Sequence, residues 1–210
     1  MLKDTENNNY IKNENAYMKY KNSINNDAIK LFFQFCHLKN LYRQGWLTKL
    51  LGMNYKDKTE SVADHSWAVA MLSIIFIEKY DLDYNVEKCL KLALIHELGE
   101  IYAGDFTPNS ITKQEKHKLE KSAVKKLFKD IEFENDFQEL WNEYENELSA
   151  EAKFIKQLDK LECIMQAVSY GLDAKYINGA EKITIPCLIE VLTEVKEISK
   201  NNNIPLCDRK

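Results

Sequence analysis

Glycine and proline are scarce in this sequence, with six glycines and three prolines among 210 residues. Both residue types interrupt regular structure, so their scarcity favours helices with short connections over a turn-rich β fold. Long apolar runs are also missing: the longest, AVAMLSIIFI at residues 68–77, is too short to span a bilayer. Since no secretory signal is recognisable either, we expect a cytoplasmic protein with no membrane partner.

A strong charge of either sign is absent as well, because the net charge is only -4 and no long basic run occurs. This balance argues against a partner that is a nucleic-acid polymer. It leaves room for a small phosphorylated ligand, since a metal ion or one arginine can offset the ligand's charge locally. The five cysteines are widely spaced without a CxxC pair, which indicates reduced thiols, with Cys89 and Cys163 buried in helices.

The chain length suits one hydrophobic core, so we expect a single domain over residues 27–200. Residues 1–25 are rich in asparagine and lack apolar periodicity, which predicts a disordered or loosely attached tail. Two capping boxes, Ser61 with Asp64 and Thr112 with Glu115, mark helix starts. No segment alternates convincingly as a strand, and the predicted fold class is all-α. Helices are predicted over residues 28–41, 61–80, 85–100, 112–128, 136–148, 149–172 and 185–200, with a loop over 42–60.

Ligand-type side chains interrupt the apolar surfaces of three of these helices. His65 lies near the start of one helix, His96 and Glu97 near the end of a second, and Asp159 within a third. Glu100 follows one turn after His96, which predicts that it lies on the same helical flank. Imidazole and carboxylate groups together suit a divalent transition metal, the usual apparatus of metal-assisted hydrolysis.

Each of these residues also has a purely structural interpretation. A single core histidine such as His65 is more often hydrogen-bonded than bound to metal. Asp64 is best explained as a helix cap, and Asp159 could form an ion pair with Lys156 or Lys160.

The other two histidines are best explained as structural residues, whereas the two glutamates are not. We interpret His37 and His117 as structural, because both lie in ordinary amphipathic or charged helices. Glu97 and Glu100 near a helix C-terminus oppose the helix dipole, which favours a cation beside them.

Three ordered blocks, ESVADHSW, LALIHELGEIYAGD and AKFIKQLDKLECIMQA, resemble the HD-domain phosphohydrolases. The match is closer to the 5'-deoxynucleotidase branch, covers roughly Leu31 to Gly171 and includes LKNLYRQGW upstream. The resemblance implies a single-domain helical bundle, commonly a homodimer, that removes phosphate from deoxynucleoside 5'-monophosphates. It also implies one divalent metal ion, cobalt or manganese first, with zinc, magnesium, iron and nickel as alternatives.

Matched position by position, the resemblance implies four metal ligands: His65, His96, Glu97 and Asp159. Glu97 departs from the family pattern, which has aspartate after the second histidine. Both are hard carboxylate ligands, but glutamate is one methylene longer. The departure therefore bears on metal preference and on activity.

The same matching assigns four further residues to the reaction. Glu100 corresponds to the family's catalytic glutamate, Arg43 to the arginine near the phosphate, and Asp105 to the aspartate near the sugar. Trp46 resembles an aromatic residue of the nucleotide pocket, although its spacing from Arg43 differs from that of some members.

Three rival functions remain open from the sequence. A non-catalytic nucleotide-binding module would keep the pocket and lose efficient turnover through the Glu97 change, but it has no need of Glu100. An HD phosphohydrolase acting on a triphosphate or a phosphodiester would use the same metal residues. A purely structural helical protein leaves the buried polar residues unexplained.

Overall fold

The computed structural model describes residues 2–4, 8–50, 59–107, 110–172 and 179–201, and their regular structure is almost entirely helical. A short antiparallel pair, β1 (Leu2–Lys3) and β2 (Tyr10–Ile11), precedes the helices. The helices are α1 (Ala16–Tyr20), α2 (Asp27–Asn40), α3 (Gln44–Leu50), α4 (Val62–Tyr80), α5 (Val86–Ile95), α6 (Glu100–Ala103), α7 (Lys113–Phe128), α8 (Glu134–Glu145), α9 (Ala150–Ser169) and α10 (Pro186–Asn201). The all-α prediction is confirmed.

Two local predictions are wrong. The predicted loop over residues 42–60 contains α3, which buries Trp46, Leu47 and Leu50 at helical spacing. The predicted helix over residues 85–100 ends at Ile95, and a turn over residues 96–99 separates it from α6. Gly99, in this turn, packs closely on α7, since an added Cβ there would lie only 2.8 Å from Glu120 Cβ.

Part of the N-terminal segment packs against the helices, in contrast to the predicted loose tail. Ile11 is buried in the apolar core and forms a β-bridge with Leu41. The Tyr10 backbone N–H donates to Gln44 Oε1 at 2.8 Å, and Gln44 Nε2 returns a bond to the Tyr10 carbonyl at 2.9 Å. A few well-placed residues therefore hold down a segment whose composition is otherwise typical of disorder.

Both predicted capping boxes are present. The Ser61 backbone N–H donates to Asp64 Oδ2 at 2.8 Å, and the Asp64 N–H donates to Ser61 Oγ at 3.2 Å. Thr112 and Glu115 exchange the corresponding pair of bonds at the start of α7. Asp64 is thus a helix cap, as interpreted from the sequence.

The chain divides into two compact units. The first comprises residues 1–66 and 95–141, and the second comprises residues 67–94 and 142–210. The first core centres on fully buried side chains of several helices: Leu41, Val62, Leu127 and Phe128. The second is built largely from α9 and α10: Phe154, Ile155, Leu158, Leu161, Ile164 and Leu188. None of the described helices is long and apolar enough to cross a membrane.

The cysteines in the described parts of the chain are free thiols, as predicted. Cys89, Cys163 and Cys187 are buried, and Cys36 is half-buried. Burial raises the pKa of the Cys89 thiol to about 12, so it stays protonated and unreactive at neutral pH. Cys207 lies outside the described residues.

Candidate active site

His65, His96 and Glu97 converge in the first unit. His65 lies in the first turns of α4, whereas His96 and Glu97 lie in the turn that follows α5. The two imidazole Nε2 atoms are 3.3 Å apart. Glu97 Oε1 is 3.8 Å from the His65 Nε2 and 3.7 Å from the His96 Nε2. All three residues are buried.

The spacing of these donors fits a single metal ion. Ligand atoms bonded to one metal at about 2.0–2.1 Å lie roughly 3.0–3.5 Å from one another. The three donor atoms are 3.3 to 3.8 Å apart, close to that value. The longer glutamate side chain therefore brings a carboxylate oxygen to the position that a ligand beside the two histidines would occupy.

Arg43 holds the Glu97 carboxylate in this position. Arg43 Nη1 lies 2.9 Å from Glu97 Oε1 and 3.7 Å from Asp105 Oδ1. Burial would raise the pKa of Glu97, but the positive charges of His96 and Arg43 outweigh burial and lower it. Glu97 is thus ionised, which is the form that binds a cation.

Backbone pairing beside α4 explains why Arg43 reaches the site. Tyr42 forms a β-bridge with Ser61, and the Arg43 N–H donates to the Glu60 carbonyl at 3.2 Å. Because His65 lies one turn beyond Ser61, this pairing brings the segment that carries Arg43 to the histidine end of α4.

Glu100, the first residue of α6, is fully buried, and neither carboxylate oxygen has a hydrogen-bond partner among the described residues. Burial raises its pKa well above the usual range, and the negative charges of Glu97 and Asp105 raise it further. Such a group is costly to bury without a compensating role. A proton, a cation or a polar substrate group would satisfy it.

Asp105 follows Gly104, whose φ of 82° lets the chain turn after α6. The Gln44 backbone N–H donates to Asp105 Oδ2, and Asn9 Nδ2 donates to the Asp105 carbonyl at 3.1 Å. Burial raises the pKa of Asp105, although Arg43 opposes the shift. Asp105 is therefore fixed from two sides, next to Arg43.

Trp46 also lies in the first unit. It is buried in α3, and its indole N–H donates to Glu60 Oε1 at 2.7 Å. Its proximity to Arg43 along the chain places it near the site, and its role in a nucleotide pocket stays a prediction.

Asp159 belongs to the second unit, where it lies half-buried on α9. The Tyr144 hydroxyl donates to Asp159 Oδ2 at 3.2 Å, and Cys163 Sγ lies 3.9 Å from Oδ1. Lys156, an alternative partner suggested by the sequence, lies 2.7 Å from Glu145. Ligation by Asp159 stays a prediction.

The structural interpretation of the other histidines agrees with their surroundings. His37 is buried on α2 with its Nε2 3.1 Å from Asp4 Oδ2. His117 stacks on Trp141 with ring centroids 5.4 Å apart.

Sequence reasoning missed Lys116 and Glu120 on α7. Lys116 Nζ lies 3.7 Å from Glu100 Oε1 and 3.1 Å from Glu120 Oε1. The helix looks charged and solvent-facing in the sequence, yet Glu120 is buried. One signal was available: residues 116 and 120 continue, at helical spacing, the inner face that Val124 and Leu127 define.

Comparison with known proteins places this geometry in a family. The HD domain family model matches residues 35–185. The human protein named 5'-deoxynucleotidase HDDC2 is 34% identical over 178 residues, which cover 80% of this chain and 83% of that protein. A protein of the same name from Dictyostelium discoideum is 38% identical over 162 residues, covering 72% and 82% of the two chains.

A solved structure agrees with these sequence relatives. The PH0347 protein from Pyrococcus horikoshii OT3 is 31% identical and superposes with a TM-score of 0.66, covering 81% of this chain and 99% of that one. The family-model match over residues 35–185 includes Arg43, His65, Glu97, Glu100 and Asp159. This chain therefore belongs to the HD-domain family.

Proposed function

We propose that this protein is a metal-dependent 5'-deoxynucleotidase that hydrolyses deoxynucleoside 5'-monophosphates to deoxynucleosides and phosphate. The observation that carries the proposal is the convergence of His65, His96 and Glu97 beside Arg43, because it joins a metal-type donor set to a phosphate-type cation. The names of the human and Dictyostelium relatives support the substrate class and the reaction.

A divalent metal would be held by His65, His96 and Glu97, with Asp159 as the fourth ligand. When bound, such an ion supplies Lewis-acid chemistry, neutralising phosphoryl charge and making water more acidic. Two imidazoles with carboxylates are compatible with divalent first-row transition metals, and the family resemblance makes cobalt or manganese our first choice. Ionised Glu97 supports this assignment, since a protonated carboxyl would be a poor ligand.

Arg43 would bind the substrate phosphate. Its planar guanidinium group carries five N–H donors, a geometry that suits a two-point contact with phosphate oxygens. Asp105, held by the Gln44 backbone, would accept a hydrogen bond from a sugar hydroxyl and orient the leaving group. Trp46 would line the nucleotide pocket.

Glu100 would handle the proton that the reaction moves. Because burial raises its pKa, Glu100 holds a proton at a pH where an exposed glutamate would have lost it. In its protonated form it would pass that proton to the leaving sugar oxygen, whereas only the ionised form could take a proton from the attacking water. Neither carboxylate oxygen has a hydrogen-bond partner among the described residues, which supports this role because no competing hydrogen bond has to be broken first.

Phosphate release from the metal-stripped full-length protein tests the proposal. Ribo- and deoxyribonucleoside mono- and triphosphates would be offered with cobalt, manganese, magnesium or zinc added back in turn. We expect metal-dependent release confined to deoxynucleoside monophosphates, with cobalt or manganese most effective. A Glu97→Asp variant restores the family's usual residue and reports whether glutamate alters the metal preference.

The rival functions give different results in the same assay. Release only from triphosphates, or cleavage only of a phosphodiester, would assign the protein to another HD activity. Tight nucleotide binding without release under any metal would identify a non-catalytic nucleotide-binding module. The homodimer implied by the family resemblance is a separate proposal, which light scattering of the same preparation would test.

A further inference from the structure

Lys116 brings a positive charge to the most deeply buried carboxylate of the site. Its Nζ lies 3.7 Å from Glu100 Oε1, and the Lys116 side chain is 37% exposed whereas that of Glu100 is completely buried. The lysine therefore extends inward from solvent to a glutamate whose oxygens have no hydrogen-bond partner among the described residues. In such a low-dielectric environment a charged ammonium group beside a buried carboxyl group constrains the position of that group more strongly than at the surface, whether or not the carboxyl is protonated.

Glu120 anchors the lysine from the other side. Glu120 Oε1 lies 3.1 Å from Lys116 Nζ, one helical turn further along α7, and Glu120 itself is buried. A lysine has a long and flexible stem, so one ion pair alone would leave its ammonium group mobile. The two carboxylates together confine it between α6 and α7.

The close approach of α7 to the metal-binding turn has its own structural cause. An added Cβ at Gly99 would lie 2.8 Å from Glu120 Cβ and 3.1 Å from Glu120 Cα. Only glycine leaves room for this contact, and the capping box of Thr112 and Glu115 fixes the start of the helix just before Lys116. The position of Lys116 is thus built into the fold rather than left to a surface side chain.

The two cations of the site divide its carboxylates between them. Arg43 pairs with Glu97 and Asp105, while Lys116 pairs with Glu100 and Glu120. The partners of Arg43 are the residues to which the proposed function assigns metal and sugar binding, whereas Lys116 lies between the proton-transfer residue Glu100 and Glu120. This division points to different tasks for the two residues.

We propose that Lys116, anchored by Glu120, is a positioning residue that holds the Glu100 carboxylate in its working orientation. The inference rests on the proposed function, because Glu100 works on a proton only if the protein hydrolyses a phosphate ester. Lys116 acts through Glu100, so it contributes to the rate of the chemical step rather than to nucleotide or metal capture. Rigid placement of a proton-transfer group is what such a neighbour supplies.

The test compares Lys116→Met with Lys118→Met, which removes an equal charge from an exposed position of the same helix. We expect Lys116→Met to lower kcat about tenfold to a hundredfold with KM and metal stoichiometry unchanged. Lys118→Met should match the wild type. Lys116→Arg keeps the charge and should recover most of kcat, and Glu120→Gln should lower kcat less than Lys116→Met does.

A double-variant cycle supplies the decisive readout. In a Glu100→Gln background, Lys116→Met should cause little further loss, because the group it positions is already gone. The same fold-loss in both backgrounds, an unchanged kcat, or a rise in KM alone would overturn the inference. If Lys116→Met fails to fold by circular dichroism, Lys116→Arg and Glu120→Gln in the two backgrounds decide instead. A wild-type protein that releases no phosphate would instead refute the proposed function.

Discussion

The two compact units of this chain bury very different side chains. The first unit contains nearly all the buried polar and charged residues of the described chain, with Ser73 and Glu162 as the exceptions in the second unit. The second unit packs α9 and α10 through fully buried Leu158, Leu161 and Leu188. Burying ionisable groups costs stability whereas burying apolar groups adds to it, so the buried polar side chains of the first unit carry a cost that the apolar packing of the second unit does not.

The first unit limits this cost by pairing charges. Arg43 and Lys116 each contact two carboxylates, and the histidines meet at 3.3 Å. Glu100 is the incomplete case, since its oxygens lack hydrogen-bond partners among the described residues. A side chain that is poorly satisfied in the resting protein is the one to expect in proton transfer.

Removing the Glu100 carboxylate should give the largest loss of activity, and it tests whether this buried group is needed for catalysis. We expect Glu100→Gln to lower kcat by roughly 10² to 10⁴-fold, the usual contribution of a positioned acid or base. Metal and nucleotide binding should persist, because Glu100 is not among the proposed ligands. Steady-state phosphate release with equilibrium nucleotide binding checks this, and a fully active variant would contradict the assignment.

Truncating the apolar core of the second unit should affect stability and leave catalysis nearly intact. Leu188 is fully buried, so Leu188→Ala should reduce the free energy of unfolding by about 2–5 kcal/mol. Its neighbour Ile189 is 43% exposed, so Ile189→Ala is the matched control on the same helix and should cost less stability. Urea unfolding measures the free energy of unfolding of both variants. Similar losses at the two positions would show that the second core is not packed as described.

A pair of glycines sharpens the comparison within the first unit. Gly99→Ala would drive a Cβ to 2.8 Å from Glu120 Cβ, which should cost about 1–3 kcal/mol and reduce activity. Gly45 lies in α3 with nothing within 4 Å of an added Cβ, so Gly45→Ala should be neutral or slightly stabilising. Thermal melts of both variants report the difference, and equal behaviour would argue against the close contact of α7.

The smallest expected effect is a change in the pH dependence of stability in Glu100→Gln. Its direction follows from the raised pKa of Glu100. The pKa of Glu100 is raised in the folded state, so the folded protein holds a proton that the unfolded chain has released. Its contribution to stability is therefore present at low pH and lost as the pH rises through the folded-state pKa. Metal-free Glu100→Gln should lose less stability than the wild type between mildly acidic and mildly alkaline pH. Parallel urea titrations measure this, and identical slopes would contradict the raised pKa.

Sequence patterns predict most of the fold because local signals decide it. Apolar spacing located α4, α9 and α10, and the capping residues Ser61 and Thr112 marked two helix starts. The failures arose where tertiary contacts override such signals. The HELGE segment favours a continuous helix locally, but α5 ends at Ile95 and α6 begins only at Glu100, with Gly99 between them packed on Glu120. Because Gly45 favours a loop, the sequence contains no clear indication of α3. The apolar face of this helix is recognised only from its burial in the structure.

The candidate site was predictable in part for a related reason. His65, His96, Glu97 and Glu100 stand out because polar groups are rare within apolar segments. Lys116 does not stand out, since a lysine on a charged helix is typical of a solvated surface. Its helical spacing from Val124 indicates an inward position, and its contact with Glu100 in the structure distinguishes it from Lys118.

The central claim is that His65, His96 and Glu97 hold one divalent metal ion. Electron paramagnetic resonance of Mn²⁺ titrated into the metal-stripped protein tests it most directly, because the free ion's signal falls as the ion binds. We expect one tightly bound Mn²⁺ per wild-type chain and loss of that binding in His65→Ala, whereas Lys118→Met behaves as wild type. Equally tight binding with the same stoichiometry in His65→Ala would contradict the account.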